Sequence, residues 1–188
     1  MQKILSTIKE RRSIRKFKDS PVDRMVLMSC IEAARLAPSA DNRQPWRFII
    51  IDEPEIKKRF ADTAFSGIYR ATRWAAKAPA LIVLIADLTF ITHKLAPAVQ
   101  GTPFFYLDMG IAGEHIVLQA QSMGLSTCWI GWFNLDNVTR FLNLPGRMKV
   151  CQLMAVGYKD DSSRPRVKKL KPIDEIVSFN QWTGKLKD

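Results

Sequence analysis

The 188-residue chain has little cysteine and less histidine: Cys30, Cys128 and Cys151, with His93 and His115. The cysteines are far apart, odd in number and form no CxxC pair, which argues against a zinc ribbon or a disulfide framework. In apolar contexts they read as small hydrophobes, and a reduced, cytoplasmic setting is expected. The two histidines have no acidic cluster nearby, a poor basis for a metal site, and no GxSxG elbow supports a Ser-His-Asp triad. Neither GxGxxG nor GxxxxGK[ST] occurs, so a doubly wound dinucleotide-binding fold is unsupported. Long apolar runs are missing too. "ALIVLIADL" is too short to span a bilayer, and "MQKILSTIKERR" lacks the apolar core of a secretory signal. Acidic residues are scarce: 18 Asp and Glu against 29 Lys and Arg give a formal charge of +11.

Apolar content of 47% and charged content of 25% are ordinary for a globular protein. The length suits a single domain over 1–188. The charge excess attracts nucleic acid, anionic membrane or phosphorylated ligands without choosing among them.

Periodicity predicts a helix over 2–10, with Ile4, Leu5 and Ile8 on one face. A second runs from Val26 and stops at Pro38. "WRFIIID", 46–52, reads as a strand. Residues 54–64 and 68–77 are expected to be helical. "ALIVLIADL" suits a strand buried on both faces. A polar stretch around 89–103 precedes "FFYLDMGIAGEHIVLQAQSMGL", apolar on more than one face and therefore a central helix, closed by Gly124. "STCWIG" is a short strand, Asn134 caps the next helix, and "KVCQLMAVGY" is the last strand. Residues 159–188, polar and basic, read as an extended arm. This mixture without strict βαβ alternation predicts an α+β fold, one central sheet flanked by helices.

Three segments carry chemistry. "KERRSIRKFKDSPV" gathers Arg11, Arg12, Arg15 and Lys16 around Ser13. Guanidinium forks match the oxygens of a phosphate monoester, and the hydroxyl adds a donor. "APSADNRQPWRF" joins a helix to a strand through a loop whose carboxamides both donate and accept, as a heterocycle with alternating carbonyls and N–H groups requires. In "GLSTCWIGWFN", Gly131 lets backbone approach a ligand, while Trp129, Trp132 and Phe133 read as pocket wall or core. The bland readings are a solvated charged face, an ordinary turn and core aromatics.

In this order, with the central helix before the third, the segments resemble the nitroreductase family of flavin-dependent oxidoreductases, from Lys9 to about Val177. The resemblance implies a mainly antiparallel sheet, a homodimer, and FMN bound at its interface. By it, Arg11, Arg12, Ser13 and Arg15 hold the FMN phosphate and ribityl chain. Pro38, Ser39, Ala40, Asn42 and Gln44 reach the flavin bound mainly by the other subunit. Ile130 and Gly131 bring backbone N–H groups to the flavin ring, and Lys168 and Lys169 of the arm add a basic pair. It further implies ping-pong transfer from NAD(P)H to a small-molecule oxidant such as a nitroaromatic or quinone, with no membrane or nucleic-acid partner. No catalytic side chain is named, and no metal is expected.

The sequence departs from the family pattern twice. The positions near Ala71 and Trp74 lack the Asn and Lys that touch the pyrimidine edge, leaving Arg70 or Arg73 as substitutes. Leu170 stands at the second basic position of the arm, leaving Lys169. Two other readings stay open: another flavin chemistry on the same fold (dehalogenation, flavin destruction, ring oxidation), and a basic nucleic-acid-binding domain without a recognised motif.

Overall fold

The computed structural model describes residues 3–88 and 101–182. His93, most of the polar stretch around it and the last six residues of the arm lie outside them. Among the described residues, four strands form one sheet: β1 Trp46–Ile51, β2 Ala80–Asp87, β3 Ser126–Ile130 and β4 Met148–Gly157, in the order β1-β2-β4-β3. Every pairing is antiparallel, so the sheet is of the expected kind. All eight residues of β2 are buried, as its unbroken apolar run requires.

Both faces of the sheet are therefore covered. On one lie α2, Arg24–Arg35, and α4, Phe104–Ser122, packing Leu27, Cys30, Met109 and Ile116 against Ile82, Leu84 and Met154. On the other lie α3, Pro54–Ala64, and α5, Leu135–Phe141, packing Phe60, Phe65 and Val138 against Leu81, Val83 and Leu153. The alternation of β2 side chains between the two cores is the period of a strand. The first helix, α1, Lys3–Glu10, sits beside α4, and its Ile4, Leu5 and Ile8 remain exposed.

Local chemistry sets the helix ends. Asp23, Glu53 and Asn134 each accept an N–H of the first turn, from Met25, from Glu55 and Ile56, and from Asn137, at 2.7–3.1 Å. At the end of α4, Gly124 takes φ +78°. The Leu125 N–H then reaches Ala120 O and the Gly124 N–H reaches Gln121 O, a Schellman closure.

One expectation is corrected. The segment Gly67–Lys77 is a 3₁₀ winding rather than an α-helix. Two of its groups are tied to Trp132 across the fold: Trp132 Nε1 donates to Ile68 O at 3.1 Å, and the Thr72 hydroxyl donates to Trp132 O at 2.7 Å. Those tertiary bonds favour tighter turns.

Helix α4 approaches the sheet at Gly113, where a Cβ would overlap Trp129 Cη2 and lie 2.8 Å from Leu84 Cδ2. Gly113→Ala is expected to cost at least ~1–3 kcal/mol, read as a lower urea midpoint with an unchanged slope. A wild-type midpoint would contradict this packing.

Candidate functional site

After α1 the chain crosses the end of the sheet. Ser13 bridges Thr127 and Phe17 bridges Lys159. Ile14 donates to Thr127 O at 3.0 Å and Lys18 to Tyr158 O at 2.9 Å. Ile14 and Phe17 are buried pegs. With those two facing the core, Ser13, Arg15 and Lys16 are left on the outer side.

The C-terminal arm returns to this run from more than 140 residues away in sequence. A cleft of about 710 Å³ forms between them, lined by Arg11, Arg12, Ser13 and Arg15 on one side and Lys168 and Lys169 on the other. Lys16, Arg164 and Arg166 line it as well. Thus the structure brings together six of the residues expected to hold a phosphate.

Two of these cations also serve α1. Arg12 Nη1 donates to the carbonyls of Lys9, Glu10 and Arg11 at 2.6, 3.0 and 2.9 Å. Lys168 Nζ donates to Ile8 O at 2.8 Å and Lys9 O at 3.2 Å. The unpaired carbonyls at the negative end of the helix dipole attract them. Dehydration, then the like charges of Arg11 and Arg12, push the Lys168 ammonium below its ordinary pKa, with Glu114 opposing.

Arg11 Nε lies 3.4 Å from Glu114 Oε1, near enough to attract but aimed too poorly to bond. It is a buried donor without a hydrogen-bond acceptor, a costly state that an anion in the cleft would relieve. Arg15 lies over the Trp74 ring, 5.7 Å from its centroid. Beneath, the buried Cys128 thiol is pushed up by burial, with Arg15 and Ser13 opposing. The thiols of Cys30 and Cys151 are pushed up to about 11 by burial, so neither is an activated nucleophile.

The loop Pro38, Ser39, Ala40, Asn42 and Gln44 does not line this cleft within one chain. It is held in an uncommon shape: Asp41, Asn42 and Gln44 have φ of 52°, 50° and 49°. Ser39 Oγ accepts the Gln44 N–H at 2.9 Å, and Gln44 Nε2 donates to Asn42 Oδ1 at 3.0 Å. Asp108, a buried residue of α4 that lies in none of the three motifs, anchors the loop by accepting the Ala40 N–H at 2.9 Å. The sequence does carry a signal for it: an aspartate inside an otherwise apolar helical stretch needs a partner.

Ile130 is buried at the end of β3, and Gly131 follows it at the exposed surface. A Cβ on Gly131 would meet only the Gln152 carboxamide, at 3.5 Å. Neither residue lines the basic cleft. Next to them the Tyr69 and Trp132 rings meet at a tilt of 50°, with centroids 5.0 Å apart. Of the two arginines expected at the pyrimidine edge, Arg73 is committed to Asp62 at 2.6 Å, while Arg70 is exposed. His115 joins α4 to α2 through Nδ1 and Ala33 O, 3.0 Å apart.

Replacing Asp108 by Leu removes the acceptor for Ala40. A loss of ~1–3 kcal/mol is expected from a denaturant titration, with faster proteolysis within 38–44. Asp108→Asn, which keeps a carbonyl oxygen, should lose less. Equal stability of Asp108→Leu and wild type would show that the loop does not rely on this bond.

Comparison with known proteins places this arrangement. The family described as the nitroreductase family matches residues 8–158. The crystal structure of a nitroreductase family protein from Clostridium novyi is 32% identical, covers 86% of this chain and 87% of its own, and superposes with a TM-score of 0.74. An NADH dehydrogenase of Thermus thermophilus is 27% identical over 89% of this chain and 91% of its own length. The FMN reductase [NAD(P)H] of Bacillus subtilis is 28% identical over 89% of this chain and 71% of its own length.

Proposed function

This chain belongs to the nitroreductase family, and we propose on that footing that it is an FMN-dependent NAD(P)H oxidoreductase acting as a homodimer. The observation that carries the reading is the convergence of the Arg11–Arg15 run and the Lys168–Lys169 arm on one cleft. The donor set fits the cofactor. A phosphate monoester carries up to two charges and three acceptor oxygens, and the cleft offers guanidiniums, ammoniums, the Ser13 hydroxyl and the unmet Arg11 Nε.

Bound FMN would supply a two-electron carrier, alternating between NAD(P)H and an oxidant such as a nitroaromatic or quinone. The chain's own residues bind and orient. Arg11, Arg12, Arg15 and Ser13 grip the phosphate end, with Lys168 and Lys169 closing over it. Ile130 and Gly131 present backbone to the ring. Gly131 suits that role because it is exposed and carries no side chain between its backbone and a ligand. Pro38, Ser39, Ala40, Asn42 and Gln44 serve the flavin of the other subunit, in keeping with their absence from their own chain's cleft.

A dimer also accounts for exposed apolar surface. Ile4, Leu5 and Ile8 on α1 and Tyr106, Leu107 and Ile111 on the neighbouring α4 are all at least 40% exposed. Ile173, Phe179 and Trp182 of the arm are exposed as well. Patches of this kind mark contact surfaces, and the arm, 159–188, would wrap the partner.

Two measurements test the reading. Arg12→Ala should weaken FMN binding by about 1.5–3 kcal/mol, the range for a charge-assisted contact, and riboflavin binding much less. The riboflavin control absorbs any loss from uncapping α1, so equal losses would rule out a phosphate contact. For the shared site, FMN-deficient Arg12→Ala and Asn42→Ala subunits are mixed. If the residues serve one flavin from opposite chains, each mixed dimer regains one intact site, seen as recovered quenching of flavin fluorescence. No recovery in proven heterodimers would sink the shared site.

A further inference from the structure

The cleft holds more positive charge than one phosphate monoester uses. Among the described residues, Arg12, Arg15, Arg164, Arg166, Lys168 and Lys169 line it without a carboxylate at ion-pair distance. A bound monoester offsets at most two of these charges.

The cations also sit in two places. Arg12 and Lys168 are fixed to the carbonyl end of α1. Lys16 and Arg164 are fixed to the turn at Asp160–Ser163 instead. Lys16 Nζ lies 3.5 Å from Asp160 Oδ1 and donates to Ser162 Oγ, and Lys16 O accepts the Asp160 N–H. Arg164 Nη1 donates to Asp161 O at 2.8 Å and Ser163 O at 3.4 Å. Between the two places runs a segment paired to the sheet at Ser13 and again at Phe17. Four residues of extended chain span ~13 Å, so the two groups of cations are anchored at distinct places on the backbone.

The nearby carboxylates do not cancel the second group. Asp160 is shared by Lys16, the Ser162 hydroxyl and the Ser162 N–H. Asp161 pairs with Lys18 at 3.0 Å. Arg164 and Arg166 stay in excess, and two neighbouring guanidiniums suit a dianionic monoester more than a singly charged diester.

We propose that the Lys16–Arg164–Arg166 end of the cleft is a second phosphate subsite that takes the 2′-phosphate of the dinucleotide reductant, so that the protein selects NADPH over NADH. The proposal rests on the FMN-oxidoreductase reading, and it assigns these three residues to the reductant rather than to the flavin.

The test uses the full-length, FMN-loaded protein and begins with its FMN content, so that failure of the flavin reading is recognised separately. Calorimetry then compares adenosine 2′,5′-bisphosphate, AMP and inorganic phosphate, with wild type and with Arg164→Ser/Arg166→Ser. The expected result is at least tenfold tighter binding of the bisphosphate than of AMP, loss of that preference in the double variant, and an unchanged FMN content. Steady-state rates should show the same change as a rise in KM for NADPH. Equal affinity for the bisphosphate and AMP overturns the proposal. So does inorganic phosphate binding as tightly as the bisphosphate, which would mark a free-phosphate site. Loss of FMN from the double variant overturns it by returning these arginines to the flavin. A single-stranded oligonucleotide that binds in salt-dependent fashion while the bisphosphate does not would overturn it by assigning the charge to nucleic acid.

Discussion

The complete burial of β2 is the constraint on which the architecture depends. A strand with no polar face needs a core on each side, and each core needs its own helices. That requirement places α2 and α4 on one face and α3, α5 and the Gly67–Lys77 winding on the other. Side chains fill the interior, with Gly113 removing even a methyl group where α4 meets Trp129. A polar ligand therefore belongs at the end of the sheet, where the chain on either side of the core comes together.

What gathers there is electrostatically unfavourable by itself. Arg11, Arg12 and Lys168 crowd one another, and carbonyls at the end of α1 offset only part of the repulsion. The geometry is settled largely by groups that are not charged: the pegs Ile14 and Phe17, and the backbone bonds to Thr127 and Tyr158. The positive cleft is held open by apolar anchors, so its charge is available to a ligand.

Much of this is legible in the sequence, for physical reasons. The apolar run at 80–87, the caps at Asn134 and Gly124, and the basic run after α1 are local signals that tertiary structure preserves. The convergence of that run with Lys168 and Lys169 follows only from family resemblance, since no local pattern links residues so far apart. Gly67–Lys77 reads as an α-helix because the bonds from Trp132 and Thr72 that tighten it are not local. Asp108 stands outside every motif because its partner is a backbone N–H, which has no sequence signature. The separate roles of Arg12 and Arg164 depend on which carbonyls each guanidinium finds, and composition does not say.

The pairing of β2 with β4 has a consequence for synthesis. Ala80 pairs with Val156, and strand β1, made earlier, covers only the opposite edge of β2. At ~5–20 residues per second on the ribosome, the β2 edge waits roughly 4–15 seconds for its partner. During that interval the nascent chain carries an apolar strand with one open edge, a template for pairing with other chains. The newly made protein should thus depend on chaperone protection most while the chain between β2 and β4 is being added.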